Sequence, residues 1–105
     1  MIEISPRKVV HVIYLAREER EGEAERHAFI DGLDAEEKAH LTARAWVGRG
    51  AFEPEDFDEA VETAFAEATT PTADYLMGMP HLAENLEGGL EAMGIDVAGE
   101  EEDFL

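Results

Sequence analysis

The chain has 105 residues, with 8 Lys and Arg against 26 Asp and Glu, a formal net charge of −18, and no cysteine. That length suits one domain around one hydrophobic core. The absent cysteine excludes disulfide scaffolds, thiolate catalysis, zinc fingers and iron–sulfur clusters, and the acidity argues against direct contact with nucleic acid or anionic lipid.

Arg7 and Lys8 before the apolar run Val9 to Ala16 imitate a signal peptide. The run is short, contains His11, leads into Arg17-Glu18-Glu19-Arg20-Glu21 and has no small-x-small cleavage site. No stretch approaches the roughly 18 apolar residues of a membrane span, so a soluble, cytoplasmic protein is expected. A first helix starts at Ser5-Pro6, a capping side chain followed by a first-turn proline, and runs to about Glu21. Its β-branched middle, residues 9–16, reads equally as a buried strand. A helix is preferred because strong helix formers follow and no second strand is present to pair with it.

Gly22 breaks the chain before a second helix, Glu23 to Leu33, which presents Phe29, Ile30 and Leu33. Asp34-Ala35-Glu36-Glu37 has the capping-box arrangement of a third helix, with Leu41, Ala45 and Trp46 as its apolar stripe and Gly48-Arg49-Gly50 as its end. Glu53-Pro54 opens a fourth, on which Phe57, Ala60, Val61, Ala64, Phe65 and Ala68 form one apolar face. Thr70-Pro71 starts a short fifth helix through Tyr75, Leu76 and Met77 that stops near Gly78. Met79 is extended before Pro80, which begins a sixth helix carrying Leu82, Leu86, Leu90 and Met93 and ending at Gly94. Gly88 and Gly89 in its middle would each cost up to about 1 kcal/mol unless another backbone packs closely there.

The expected fold is therefore an all-α, compact single domain of five or six short helices, with the fourth and sixth packed around the first. Residues 1–94 form that domain, and residues 95–105 form an acidic, flexible tail too poor in apolar side chains to fold alone. Neither an internal repeat nor a coiled-coil heptad run is present. All eight basic residues lie at or before Arg49, and residues 50–105 hold sixteen acids without a single Lys or Arg. This anionic half reads either as a solvated face or as a surface for a basic partner.

Most chemistries find no support. The only serine, Ser5, serves better as a cap than as a nucleophile. Gly48-Arg49-Gly50 follows a helix and lacks the Gly-Lys-Ser/Thr of a phosphate loop. Asp56-x-Asp58 has Val61 where a calcium loop needs glycine. Glu37-x-x-His40 has the spacing used in di-metal bundles, but such sites need two copies and two further carboxylates. His81-x-x-Glu84 is the reverse order and no more specific. His40 is expected on the surface, and His11 and His27 as ordinary helix residues. No catalytic residue, metal site or cofactor is assigned. Trp46, Arg49, Asp74 and Tyr75 stand out, being a lone tryptophan, the last basic residue and an Asp-Tyr pair near the two most turn-rich segments. They are either core aromatics with Arg49 and Asp74 in a structural ion pair or caps, or the lining of a small-ligand or peptide site.

Two groups of segments carry a family resemblance. Phe29-Ile30-Asp31-Gly32-Leu33-Asp34 with Ala45-Trp46-Val47-Gly48-Arg49-Gly50, and Thr72-Ala73-Asp74-Tyr75-Leu76-Met77-Gly78-Met79-Pro80 with Leu86-Glu87-x-Gly89-Leu90, resemble the bacterial domain of unknown function 3775 family, over most of residues 2–94. The chain departs from that pattern between its first and second helices, where relatives are longer. The resemblance implies a bacterial source and a compact helical domain, and it transfers no catalytic residue.

Function is then read as a non-enzymatic protein-interaction module, engaging a basic partner through the anionic half or the Phe104-Leu105 end. The alternatives are a small-ligand or metal-binding protein with a site near Trp46, Arg49, Asp74 and Tyr75 or at His40, and, more weakly, a nucleic-acid mimic. Self-association as a homodimer stays open, because an apolar fourth helix in so small a domain can complete its core on a second copy.

Overall fold

The longest helix is bracketed by two local signals. At its start Asp34 is extended, and its Oδ1 accepts from the Glu37 N–H at 2.8 Å while Glu37 Oε1 accepts from the Asp34 N–H at 3.3 Å, a complete capping box. At its end Gly50 adopts φ 86°, where only glycine is unstrained, and the N–H groups of Gly50 and Ala51 close onto the carbonyls of Val47 and Trp46. The computed structural model describes residues 6–17, 23–66 and 71–95. Within them lie α1 (Pro6–Arg17), α2 (Glu23–Asp31), α3 (Ala35–Arg49), α4 (Phe57–Ala66), α5 (Thr72–Met77) and α6 (Leu82–Ala92), with a 3-10 turn at Pro54–Asp56 leading into α4. No strand occurs among the described residues, and the fold is all-α as the sequence implies.

The β-branched run is helical. Val9, Val10, Val12 and Ile13 are all buried, between α2 on one side and α6 on the other, so packing on two sides overrides the few tenths of a kcal/mol each residue loses in helix propensity. Lys8 and Glu37 tie α1 to the start of α3, and Arg17 and Glu87 tie its far end to α6.

The centre of the fold is α3, not α1 as the apolar pattern suggests. Helix α3 packs along α6 on one side and α4 on the other, and touches α5. Its closeness to α6 has a specific cause. A Cβ added to Gly48 would sit 1.6 Å from the Asn85 carbonyl oxygen, and one added to Gly89 would sit 2.1 Å from that of Arg44. The two helices touch backbone to backbone, the condition under which the sequence tolerates Gly88-Gly89 in mid-helix. Gly48 thus belongs to this crossing, and helix termination falls to Gly50 alone.

Other expectations are displaced. Phe65 continues the apolar spacing of α4 yet is 41% exposed, because α4 rests on α3 along a narrower strip containing Phe57, Ala60, Val61 and Ala64. Pro71 occupies the cap position of α5, which starts at Thr72, and α6 starts at Leu82, two residues after Pro80. The Ser5 cap, the Gly22 break, Ala68, Thr70 and residues 96–105 lie outside the described residues. Ile95 still packs against the core.

The crossing makes two neighbouring glycines behave oppositely. Gly89→Ala should cost about 3 kcal/mol or more, because both colliding groups are backbone. Gly88→Ala, whose Cβ would meet Gly48 atoms no closer than 3.5 Å, should be neutral or stabilising by up to about 1 kcal/mol. Urea denaturation of both variants measures the difference.

Candidate functional site

Trp46 projects from the last turns of α3, three residues before Arg49 and therefore on the same side of the helix. The chain reverses at Gly50, and Phe52 comes back to lie over the indole, ring centroids 5.6 Å apart and planes 23° from parallel. From α5 the Tyr75 oxygen accepts a hydrogen bond from Trp46 Nε1–H at 3.0 Å. Trp46 is only 7% exposed while Tyr75 is 39% exposed. The phenol thus satisfies a buried donor and forms the outer wall of the aromatic group.

Asp74 precedes Tyr75 on α5 and faces a different neighbour. Its Oδ1 lies 2.9 Å from His27 Nε2, joining α5 to α2, with both side chains about half exposed. Arg49 is exposed at the end of α3 and forms no ion pair with a described residue. The expected Arg49–Asp74 pair is therefore absent among the described residues, and His27 takes the place of Arg49. Of the four residues singled out by the sequence, Trp46 and Tyr75 touch, Asp74 stands beside them by chain adjacency, and Arg49 lies one helical turn away.

The site includes two residues that sequence reasoning passed over. Phe52 follows the Gly50 turn closely enough for its return to α3 to be read from the loop length. His27 carries no such signal, since its partner is 47 residues away in sequence. Chemically the group offers an indole, a phenol, a carboxylate–imidazole pair and a free-standing guanidinium. The group contains no Ser or Cys nucleophile.

His40, expected on the surface, is buried at 6% exposure with its ring centroid 5.5 Å from that of Phe57. Phe57 also receives the Arg44 guanidinium, 4.7 Å from its centroid. Arg44 is 2% exposed, and its Nη1 donates to Met93 Sδ at 2.7 Å. Helix α4 covers both residues, so the expected surface position of His40 fails for want of knowing where Phe57 packs. Glu37 is turned towards Asp34 and Lys8, and no group of three His, Asp or Glu that could hold a metal ion forms among the described residues.

A family model described as "Protein of unknown function (DUF3775)" matches residues 23–95. The chain belongs to this family. The match runs from α2 to the end of α6, so it contains the glycine crossing, Trp46 and the α5 segment, and it leaves α1 outside. No curated protein and no solved structure matches the chain. The family description assigns no activity, so DUF3775 membership establishes kinship and leaves the chemistry to the residues.

The single tryptophan makes the site easy to follow. Tyr75→Phe leaves the indole N–H of this DUF3775 protein without its acceptor and should cost about 1 kcal/mol, the low end for a buried donor because water can reach it past the exposed ring. Trp46 fluorescence recorded through a urea titration reports both the loss and the changed indole environment.

Proposed function

We propose that this is a non-enzymatic, cytoplasmic interaction module of bacterial origin whose α4 face docks a basic protein partner. One observation carries the reading. Glu53, Glu55, Asp56, Asp58, Glu59 and Glu62 are all exposed, and Phe65 stands exposed on the same outer face. Asp58, Glu62 and Phe65 are spaced i, i+4, i+7, one outward stripe. An exposed phenylalanine set among acids suits a binding face, because an apolar anchor contributes affinity while the surrounding charges steer and select the partner. The same charges disfavour a homodimer through this face, since a two-fold contact would set acids against acids.

The test places a photo-crosslinking residue beside Phe65 in the source cells to identify the partner, then titrates that partner with purified protein. Affinity should fall by roughly tenfold or more between low and moderate salt, and Asp58→Lys/Glu62→Lys or Phe65→Ala should weaken it comparably. Binding indifferent to salt and to both variants refutes the reading. Competition by duplex DNA for the same partner would give the interaction the character of nucleic-acid mimicry.

A second reading is supported by the convergence of Trp46, Phe52 and Tyr75 beside Asp74, a cluster suited to a small ligand or peptide with Arg49 at its edge. Arg49 is exposed, so Arg49→Ala should melt like the parent while abolishing binding at this site. Parallel losses of binding and stability in Arg49→Ala would leave those residues a structural role only.

A further inference from the structure

Helix α1 is the one described helix without an acid: it holds three of the chain's eight basic residues and none of its 26 Asp and Glu. It has little helical tendency of its own. Twelve residues are marginal for an isolated helix even in an alanine-rich sequence, and here Val9, Val10, Val12 and Ile13 are β-branched. Helix α1 therefore owes its form to docking. Burial of Val9, Val10, Val12, Ile13 and Leu15 favours the docked state while the ordering of twelve residues opposes it, and for a segment of this size the two terms are comparable.

The surface that receives α1 suits a helix of one polarity. Helices α2 and α6 flank it, and Ile30, Leu86 and Leu90 belong to the same buried cluster as its valines. Three polar contacts stand around that apolar floor. Glu37 pairs with Lys8 in the first turn of α1, Arg26 donates to the Leu15 carbonyl in its last turn, and Glu87 pairs with Arg17 at its end. A carboxylate at a helix start and a guanidinium on its terminal carbonyls both complement the helix dipole. The two paired cations are nine residues apart, roughly 14 Å along a helix. All the receiving residues lie within the stretch that the family model matches, and α1 lies outside it.

We propose that the groove between α2 and α6 is an exchangeable docking site for a basic amphipathic helix, filled here by α1 and open to a partner protein's helix with the same aliphatic stripe and the same two cations. Charge selects the occupant. When α1 lifts away, Glu37 and Glu87 lose these cations in a strongly acidic chain, so a helix that restores both is preferred to an apolar or acidic one. The groove uses neither the α4 face nor the Trp46 cluster and is independent of both.

Hydrogen exchange on the wild-type protein reads the opening. The α1 amides should exchange at least roughly tenfold faster than those of α3, whereas equal protection would mean that α1 leaves only when the whole fold does, and overturns the proposal. A fluorescent peptide of residues 6–17 then stands in for the partner helix. It should bind the full chain carrying Val12→Asp, whose attached α1 is weakened, at least roughly tenfold more tightly than it binds wild type, where the attached helix competes at high effective concentration. Arg17→Glu in the full chain leaves the core residues intact and should give a smaller gain in the same direction. A peptide carrying Arg17→Glu should bind both variant chains severalfold more weakly, and recover on a chain that combines Val12→Asp with Glu87→Arg. Absence of peptide binding to both variant chains, or indifference to the charge reversal, overturns the proposal. A wild-type dimer that the peptide dissociates would assign the groove to a second copy's α1 and overturn the assignment to a different protein.

Discussion

The backbone contact between α3 and α6 is the constraint from which the rest of the molecule follows. Two helices normally keep their axes about 8–10 Å apart because side chains stand between them. Here Gly48 faces Asn85 and Gly89 faces Arg44 with no room for even a methyl group. Close approach exchanges side-chain contacts for backbone dispersion and Cα–H···O contacts, and it also fixes the relative position of the pair more tightly than interdigitating leucines would. Once α6 is seated, the turn before it sets where α5 lies. Tyr75 then falls within hydrogen-bonding reach of Trp46, and α1 is left to cover the remaining side of α6.

What was legible in the sequence is what is local. The capping box at Asp34, the left-handed glycine at position 50 and the proline before α4 each act within a few residues, and each signals its own helix end. Misreadings arise where one residue type serves two purposes. Gly48 lies beside a helix terminus and looks like part of it, but its missing side chain matters to a helix some forty residues further along the chain. Gly88 and Gly89 were easier, because a mid-helix glycine has no local use and so points to a neighbour. The run from Val9 to Ile13 shows the opposite limit. Its propensity is split between helix and strand, and only its burial between two other helices decides.

The polar residues show why a site is harder to read than a fold. Trp46 and Tyr75 attract attention by rarity, but that they touch depends on a contact 29 residues apart. By sequence Asp74 suits an ion pair with Arg49, the last cation in the chain, or a cap, whereas the helices bring it to His27. His40 and Arg44, one turn apart on α3, have the composition of a surface stripe. They are buried because Phe57 covers them, with the guanidinium over one face of that ring. Sequence periodicity weighs a charged side chain by its water-seeking head, whereas packing also uses its stem and the planarity of the arginine group.

The distribution of charge bears on the same point. Lys8, Arg17, Arg26 and Arg44 are each engaged with another helix: two in ion pairs, one on a carbonyl, and one on a thioether and an aromatic ring. Half of the molecule's eight basic residues are thus committed to holding helices together. The acids of the 3-10 turn and α4 have no such employment: they are exposed and have no basic residue beyond Arg49 to answer them. Screened surface repulsion of this kind costs little at physiological ionic strength, so the fold tolerates it without needing it. Glu55, Asp56, Asp58, Glu59 and Glu62, acids that the packing neither uses nor neutralises, follow one another along the 3-10 turn and α4 beside an exposed phenylalanine, and this makes that face one whose composition internal packing leaves unexplained.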